Sequence, residues 1–232
     1  MFASAVYVLL VPACVSGPGG TGPPRDASDL AREVESESMD RYYLGVCAWC
    51  GGRLGIWGEA PEQIIQGRQL RYCREECQRD FGRDIVESTR RIDAIMIADQ
   101  APYYPVEVSL LTGRSLGSQP IDFVWGNRLF RAASTEEQSE ILADPARFIR
   151  ILDRHVVAAQ TPTYGMPRKC PVQGDILPSD AVIDIVVANR MIRVCCGRCV
   201  LAVKARPYQY LGMVEYANRQ AGQQHQSDIR SP

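Results

Sequence analysis

The sequence predicts an α+β protein built from three tandem small ββα units. Two observations support this fold class. The chain repeats itself with a period of about sixty residues, and every repeat shows a hairpin pattern followed by a helical pattern. Because 46% of the 232 residues are hydrophobic, the chain can bury a core. The formal net charge of −1 and the scattered basic residues argue against nucleic acid as a partner.

The repeat is clearest where three stretches align without gaps: GRQLRYCREEC, NRLFRAASTEE and NRMIRVCCGRC. Three earlier stretches align in the same order: VCAWCGGRLG, VSLLTGRSLG and KCPVQGDILP. This register divides the chain into a signal segment (1–14), a flexible Gly/Pro linker (15–40), unit one (41–100), a degenerate unit two (101–160), unit three (161–220) and a disordered tail (221–232).

A β-hairpin is predicted in the first half of each unit. In unit two, Ile121, Phe123 and Trp125 alternate before a turn at Gly126-Asn127. In unit three, AVIDIVVANRMIRV has the same pattern with a turn near Ala188-Asn189. These patterns indicate strands with one buried face.

A helix is predicted after each hairpin. Ser134 and Glu137 form a capping box that opens the helix of unit two. Apolar residues then recur at helical spacing, namely Ile141, Leu142, Phe148, Ile149 and Leu152 in unit two, and Phe81, Ile85, Ile92 and Ile95 in unit one. This ββα order is the treble-clef type of arrangement, in which a turn and a helix N-terminus enclose one metal ion.

Unit one carries two closely spaced cysteine pairs, Cys47-x2-Cys50 and Cys73-x3-Cys77. Two such pairs can supply four thiolates to one tetrahedral ion at about 2.3 Å from each sulfur. The i, i+4 spacing puts Cys73 and Cys77 on one helical face if the helix begins at Cys73. We therefore predict a Zn²⁺ site, with disulfides as the alternative.

Unit three repeats this pattern incompletely. Cys170, Cys195 and Cys199 occupy three of the four positions, but Gln173, a poor ligand, stands where unit one has Cys50. Either Cys196 supplies the fourth bond, or the site stays three-coordinate and open. Three thiolates suit Zn²⁺, Cu⁺ or another soft ion. The alternative is a thiol–disulfide redox protein acting through Cys195, Cys196 and Cys199.

Unit two has no cysteine at these positions, which hold Ser109, Thr112, Ala133, Ser134 and Glu137. Its hydrophobic pattern is intact, so we expect it to fold without metal by packing against its neighbours. The two histidines, His155 and His225, lie far from the cysteine positions in sequence. No nucleophile is paired with a base, so we expect a protein that is not an enzyme.

The N-terminal stretch MFASAVYVLLVPACVSG is an apolar run of signal-peptide length that ends at Cys14. Small residues before a cysteine resemble a bacterial lipobox, which implies a signal peptide over residues 1–14 and lipidation of Cys14. The Gly/Pro-rich stretch that follows suits a tether. We expect a membrane anchor at the bacterial cell envelope, or, with an ordinary signal peptide, a secreted or periplasmic protein.

The chain resembles the YHS/TRASH superfamily of small cysteine-containing domains over about residues 42–217. The resemblance rests on CPVQG, on RVCCGRC and on the Asp144–Phe148 element. It implies treble-clef metal binding, with Cys47, Cys73, Cys77, Cys170, Cys195 and Cys199 as ligands, whereas Cys50 and Cys196 are candidates from spacing alone. We therefore expect a non-enzymatic metal-binding protein, with a thiol-redox protein or a metal-stapled interaction scaffold as alternatives.

Overall fold

The computed structural model of the chain describes residues 40–163, 169–177 and 182–230. In this part of the chain, one order of two strands and two helices occurs three times. The elements are β1 (Glu62–Ile65), β2 (Arg68–Arg71), α1 (Glu75–Arg83) and α2 (Ile85–Gln100); β3 (Ile121–Trp125), β4 (Arg128–Ala132), α3 (Thr135–Ala143) and α4 (Pro145–Gln160); and β5 (Ile183–Val187), β6 (Arg190–Val194), α5 (Gly197–Ala205) and α6 (Pro207–Arg230). This mixture of helices and small antiparallel sheets agrees with the α+β class.

Each pair of strands forms a separate two-stranded antiparallel sheet. Two-residue turns connect the strands, and both turn residues have positive φ: Gly126 and Asn127 at +52° and +68°, and Ala188 and Asn189 at +49° and +58°. Such turns match the right-handed twist of the flanking strands. The turns therefore lie where the sequence predicted them.

The helical segments differ from the prediction, because each is broken into a nine-residue helix and a longer one. Asp84 and Asp144 end the first helix and cap the second, accepting hydrogen bonds from the amides of Glu87 and Arg147 at 3.0 and 3.2 Å. Pro145 then occupies the first position of α4, where its missing N–H is not needed.

The break changes which apolar side chains are buried. Phe81 and Ile92 lie in the core, but Ile85, Ile95 and Leu142, which recur at the same helical spacing in the sequence, are exposed. That spacing runs across the breaks at Asp84 and Asp144. One helical period therefore does not describe the buried face of both helices.

The core consists of two clusters of buried residues. The larger one contains side chains of both unit one and unit three, among them Leu70, Phe81, Ile192 and Val203. The smaller one contains unit two side chains together with Met191 of unit three. The core is thus shared between units, as small units need in order to bury enough surface.

The hairpins are joined by a set of hydrogen bonds around a turn asparagine. Asn127 Nδ2 donates to the carbonyl of Gln69 at 2.9 Å, and its Oδ1 accepts from Arg68 Nε at 2.6 Å. Gln100, at the end of α2, donates to the Asn127 carbonyl at 3.1 Å and accepts from the Leu129 amide at 3.0 Å. These bonds fix unit two on unit one.

The same set of bonds joins unit two to unit three. Asn189 Nδ2 donates to the carbonyl of Leu129 at 3.1 Å, and its Oδ1 accepts from Arg128 at 3.3 Å. Gln160, at the end of α4, donates to the Asn189 carbonyl and accepts from the Met191 amide, both at 2.8 Å. The repeated bonds satisfy the buried polar groups of both turns.

Arg190 connects unit three to unit one. Its guanidinium forms ion pairs with Asp99 in α2 and with Glu215 in α6. It also lies over the rings of Tyr43 and Tyr103, at 5.4 and 4.7 Å from their centroids. The three units therefore contact one another pairwise, and no unit stands apart from the other two.

The sequence predicted a disordered C-terminal tail and an N-terminal membrane anchor. Helix α6 continues to Arg230, into the segment 221–232 for which the sequence predicted disorder. Among the described residues, no helix has the length and apolar character required to span a bilayer. The signal segment, the linker and Cys14 lie outside the described residues.

Candidate metal centres

The structure brings the four cysteines of unit one together. The Sγ atoms of Cys47, Cys50, Cys73 and Cys77 all lie within 4.8 Å of one another. Cys73 Sγ is 3.5 Å from Cys50 Sγ and 3.6 Å from Cys77 Sγ. Four sulfurs bound tetrahedrally to zinc lie about 3.8 Å apart, whereas bonded sulfurs lie about 2.05 Å apart. The spacing suits one ion, and all eight described cysteines are free thiols.

A tight turn positions the first pair. The Cys47 amide donates to the Gly52 carbonyl at 2.7 Å, and the Gly51 amide donates to the Cys47 carbonyl at 3.0 Å. Gly51 has a φ of +69°, a conformation that residues with a Cβ rarely adopt. The Gly52 amide also donates to Cys50 Sγ at 3.4 Å. The backbone therefore wraps around the place where an ion would lie.

The second pair lies where β2 leads into α1. We expected Cys73 and Cys77 on one helical face, but α1 begins at Glu75, so only Cys77 is helical. Cys73 lies in the bend between β2 and the helix. The extended Arg74, at the N-cap, turns the chain so that both sulfurs still meet. The neighbouring Cys77 sulfur raises the pKa of the Arg74 guanidinium.

The environment of the four thiols is uneven. Cys47, Cys73 and Cys77 are buried, and Cys50 is exposed. Burial raises the pKa of Cys73 and of Cys77. Burial acts in the same direction on Cys50, but hydrogen bonds from the Gly52 amide and from the neighbouring thiols lower its pKa to about 7. Cys50 is therefore the most accessible of the four sulfurs to solvent.

Unit three gathers three cysteines in the same way. The Sγ atoms of Cys170, Cys195 and Cys199 lie within 4.8 Å of one another. The first turn keeps its hydrogen bonds, since the Cys170 amide donates to the Asp175 carbonyl and the Gly174 amide donates to the Cys170 carbonyl, both at 2.8 Å. The geometry of the cysteine-bearing turn is thus common to units one and three.

Gln173 occupies the fourth side of this cluster, as the repeat predicted. Its Oε1 accepts a hydrogen bond from Cys195 Sγ at 3.3 Å. An amide oxygen is a hard donor that suits Mg²⁺ or Ca²⁺ better than a soft ion. The cluster therefore offers three soft ligands and one weak position.

Cys196, the other candidate for the fourth bond, lies beside the cluster. It is the N-cap residue of α5, and its Sγ is 3.4 Å from Cys199 Sγ. It is not among the three residues whose sulfurs lie within 4.8 Å of one another. A hydrogen bond from the Cys199 amide lowers the pKa of Cys196 to about 7. The sulfur thus contacts the helix N-terminus and one member of the cluster.

Unit two has hydrogen-bonded side chains at the positions where units one and three have cysteines. Thr112 Oγ1 donates to Glu137 Oε1 at 3.0 Å, and the Ala133 amide donates to Glu137 Oε2 at 2.9 Å. Ser109 Oγ accepts hydrogen bonds from two amides of its own turn at 3.1 Å. Ser134 Oγ accepts from the Glu137 amide at 3.3 Å, which agrees with the predicted capping box. Sequence reasoning missed the bond between Thr112 and Glu137, although both stand at cysteine positions.

The two histidines of the chain lie on helices. His155 is exposed on α4, and His225 belongs to α6. Among the described residues, no other group of potential ligands comes together in this way. Comparison of the chain with protein-family models, with curated proteins and with solved structures finds no match.

Proposed function

We propose that the protein is a non-enzymatic metal-binding protein that holds a soft ion, Zn²⁺ or Cu⁺, in each of its two cysteine clusters. The observation that supports this function best is the grouping of four sulfurs in unit one and three in unit three, each within 4.8 Å. We further propose that these units are treble-clef domains of the YHS/TRASH type. Metal chemistry explains why unbonded thiols, most of them buried, converge twice.

The two clusters differ in the role that suits them. In unit one, four thiolates close the coordination shell, and three of them belong to the larger core cluster. Binding free energy at a closed thiolate site is also folding free energy, about 10 kcal/mol or more. Unit one therefore holds a structural ion. Unit three, with Gln173 in place of a thiolate, holds its ion less tightly and exchanges it.

The proposed location is the bacterial cell envelope. Lipidation of Cys14 would attach the chain to the membrane, and the Gly/Pro-rich linker would let the metal-binding units extend from the surface. Two or three acyl chains give stable attachment, whereas one chain gives marginal attachment. An exchangeable site at this position would meet ions before they enter the cell.

The experiment that tests this function is a metal and thiol count on full-length protein purified without chelators. We expect two equivalents of metal per chain by mass spectrometry. Cys77→Ser and Cys199→Ser should each lose one equivalent. The matched control in unit two is Thr112→Ser, which keeps its hydroxyl and should keep both ions. A metal-free native protein with the sulfurs of unit one in two disulfides would refute the proposal.

A further inference from the structure

We propose that Cys196 and Cys199 form a thiol–disulfide exchange site that acts on disulfide-bearing molecules, and that closing the bond between them releases the ion of unit three. The release of the ion rests on the proposed function, but the exchange reaction does not. The two cysteines form a Cys-x2-Cys pair across the first turn of α5, in the stretch Cys196-Gly-Arg-Cys199.

The geometry allows this bond to form with little movement. Cys196 Sγ and Cys199 Sγ are already 3.4 Å apart, and a disulfide needs about 2.05 Å. Cys196 precedes the helix in an extended conformation, with φ −161° and ψ 167°. Rotation of its side chain can close the gap while α5 stays intact.

The two thiols differ in access. Cys199 is buried in the core cluster, and Cys196 is partly exposed. A disulfide arriving from solvent therefore meets Cys196 first. Cys199 Sγ is in contact with the sulfurs of Cys196 and Cys195, at 3.4 and 3.6 Å. This arrangement assigns Cys196 as the attacking thiol and Cys199 as the resolving thiol.

The reaction balances in two steps. The Cys196 thiolate attacks one sulfur of the incoming disulfide, forming a mixed disulfide and releasing one thiolate. Cys199 then gives up its bond to the ion, attacks the Cys196 sulfur and releases the second thiolate. The incoming disulfide has gained two electrons and takes up two protons from water. The ion keeps only the thiolates of Cys170 and Cys195.

Unit one has no equivalent pair. Arg74 stands at the position of Cys196, and Ser134 stands there in unit two. Unit one does contain Cys47-x2-Cys50, but both of these sulfurs belong to the four-sulfur cluster. We therefore expect a disulfide to release the ion of unit three while the ion of unit one stays bound.

The test uses full-length, metal-loaded protein and glutathione disulfide as the probe. A chromogenic chelator measures released metal, and mass spectrometry maps disulfides on the same samples. We expect one equivalent of released metal per chain together with a Cys196–Cys199 bond. Cys196→Ser should keep two ions at the start and slow the release at least tenfold. Arg74→Cys should make unit one release its ion as well.

The possible results separate this inference from the proposed function. If Cys196→Ser releases metal as fast as the wild type, or the new bond joins Cys195 to Cys199, the exchange site is refuted. If the purified protein contains no metal, the proposed function fails together with the release step. Formation of the Cys196–Cys199 bond in such protein would still support the exchange site, and its absence would refute it.

Discussion

Replacing Arg128 by methionine tests whether buried charge holds units two and three together with the segment that enters unit one. The Arg128 side chain is 1% exposed and donates to both carboxylate oxygens of Asp40, at 2.8 and 3.1 Å, and to Asp153 at 2.7 Å. It also donates to Asn189 and to the carbonyl of Val186, at 3.3 and 3.2 Å. One guanidinium of unit two thus bridges unit two, unit three and Asp40, the residue that directly precedes unit one.

The expected loss of unfolding free energy follows from the carboxylates that Arg128→Met leaves without their partner. Removing one partner of a buried ion pair destabilises a protein by about 3–5 kcal/mol, because the other charge stays buried without compensation. The side chains of Asp40 and Asp153 are 12% and 35% exposed. Asp153 can therefore recover water, and most of the penalty falls on Asp40. We expect a loss near the lower limit, about 3 kcal/mol of unfolding free energy.

The assay is urea unfolding followed by far-UV circular dichroism and tryptophan fluorescence. The free Zn²⁺ concentration must be fixed, since an ion that binds only the folded state adds to its stability. The control is Arg90→Met, which removes an arginine that is 71% exposed and pairs with Glu87 one turn away. If Arg128→Met unfolds at the same urea concentration as Arg90→Met, the buried network does not hold the units together.

Three further predictions concern the sites and the anchor. Gln173→Cys should raise the metal affinity of unit three on the order of tenfold or more. In a chelator titration the wild type should release metal in two phases and the variant in one. Two unchanged phases in the variant would contradict an open site. Thr112→Val should break the bond to Glu137 and cost up to about 1 kcal/mol in urea unfolding with no change in metal content; a loss of metal would contradict a metal-free unit two. Labelled palmitate should enter the wild type and not Cys14→Ala, and a soluble wild-type protein that begins upstream of Cys14 would rule out the anchor.

Much of the candidate site could be predicted from the sequence. Cys50 and Cys73 are 23 residues apart, and the chain between them contains one short hairpin, Glu62–Arg71. Two closely spaced cysteine pairs are typical of a four-thiolate site, so their spacing was enough to predict that the pairs come together. The repeat then extended the same reasoning to Cys170 and Cys195. Local rules of turns and strands determined these contacts because few residues separate the partners.

The sequence did not predict features that depend on a partner from another element. The pattern put Ile85 and Ile95 at the same helical spacing as Phe81 and Ile92, but only the latter two are buried, on either side of the break at Asp84. The sequence spacing of Cys196 from the other cysteines is compatible both with a metal ligand and with a cysteine outside the metal site. Only the start of α5 shows that its sulfur lies at the helix N-terminus, beside the cluster.

The sequence by itself therefore determined the hairpins, the cysteine turns and which cysteines meet, since each depends on residues close together in the chain. The tertiary structure alone decided how the units are joined. Asn127 bonds to Gln69, 58 residues earlier, and Arg128 bonds to Asp40, 88 residues earlier. A periodic pattern describes one face of one element. It carries no information on the residue that will lie opposite, because that depends on how whole units pack.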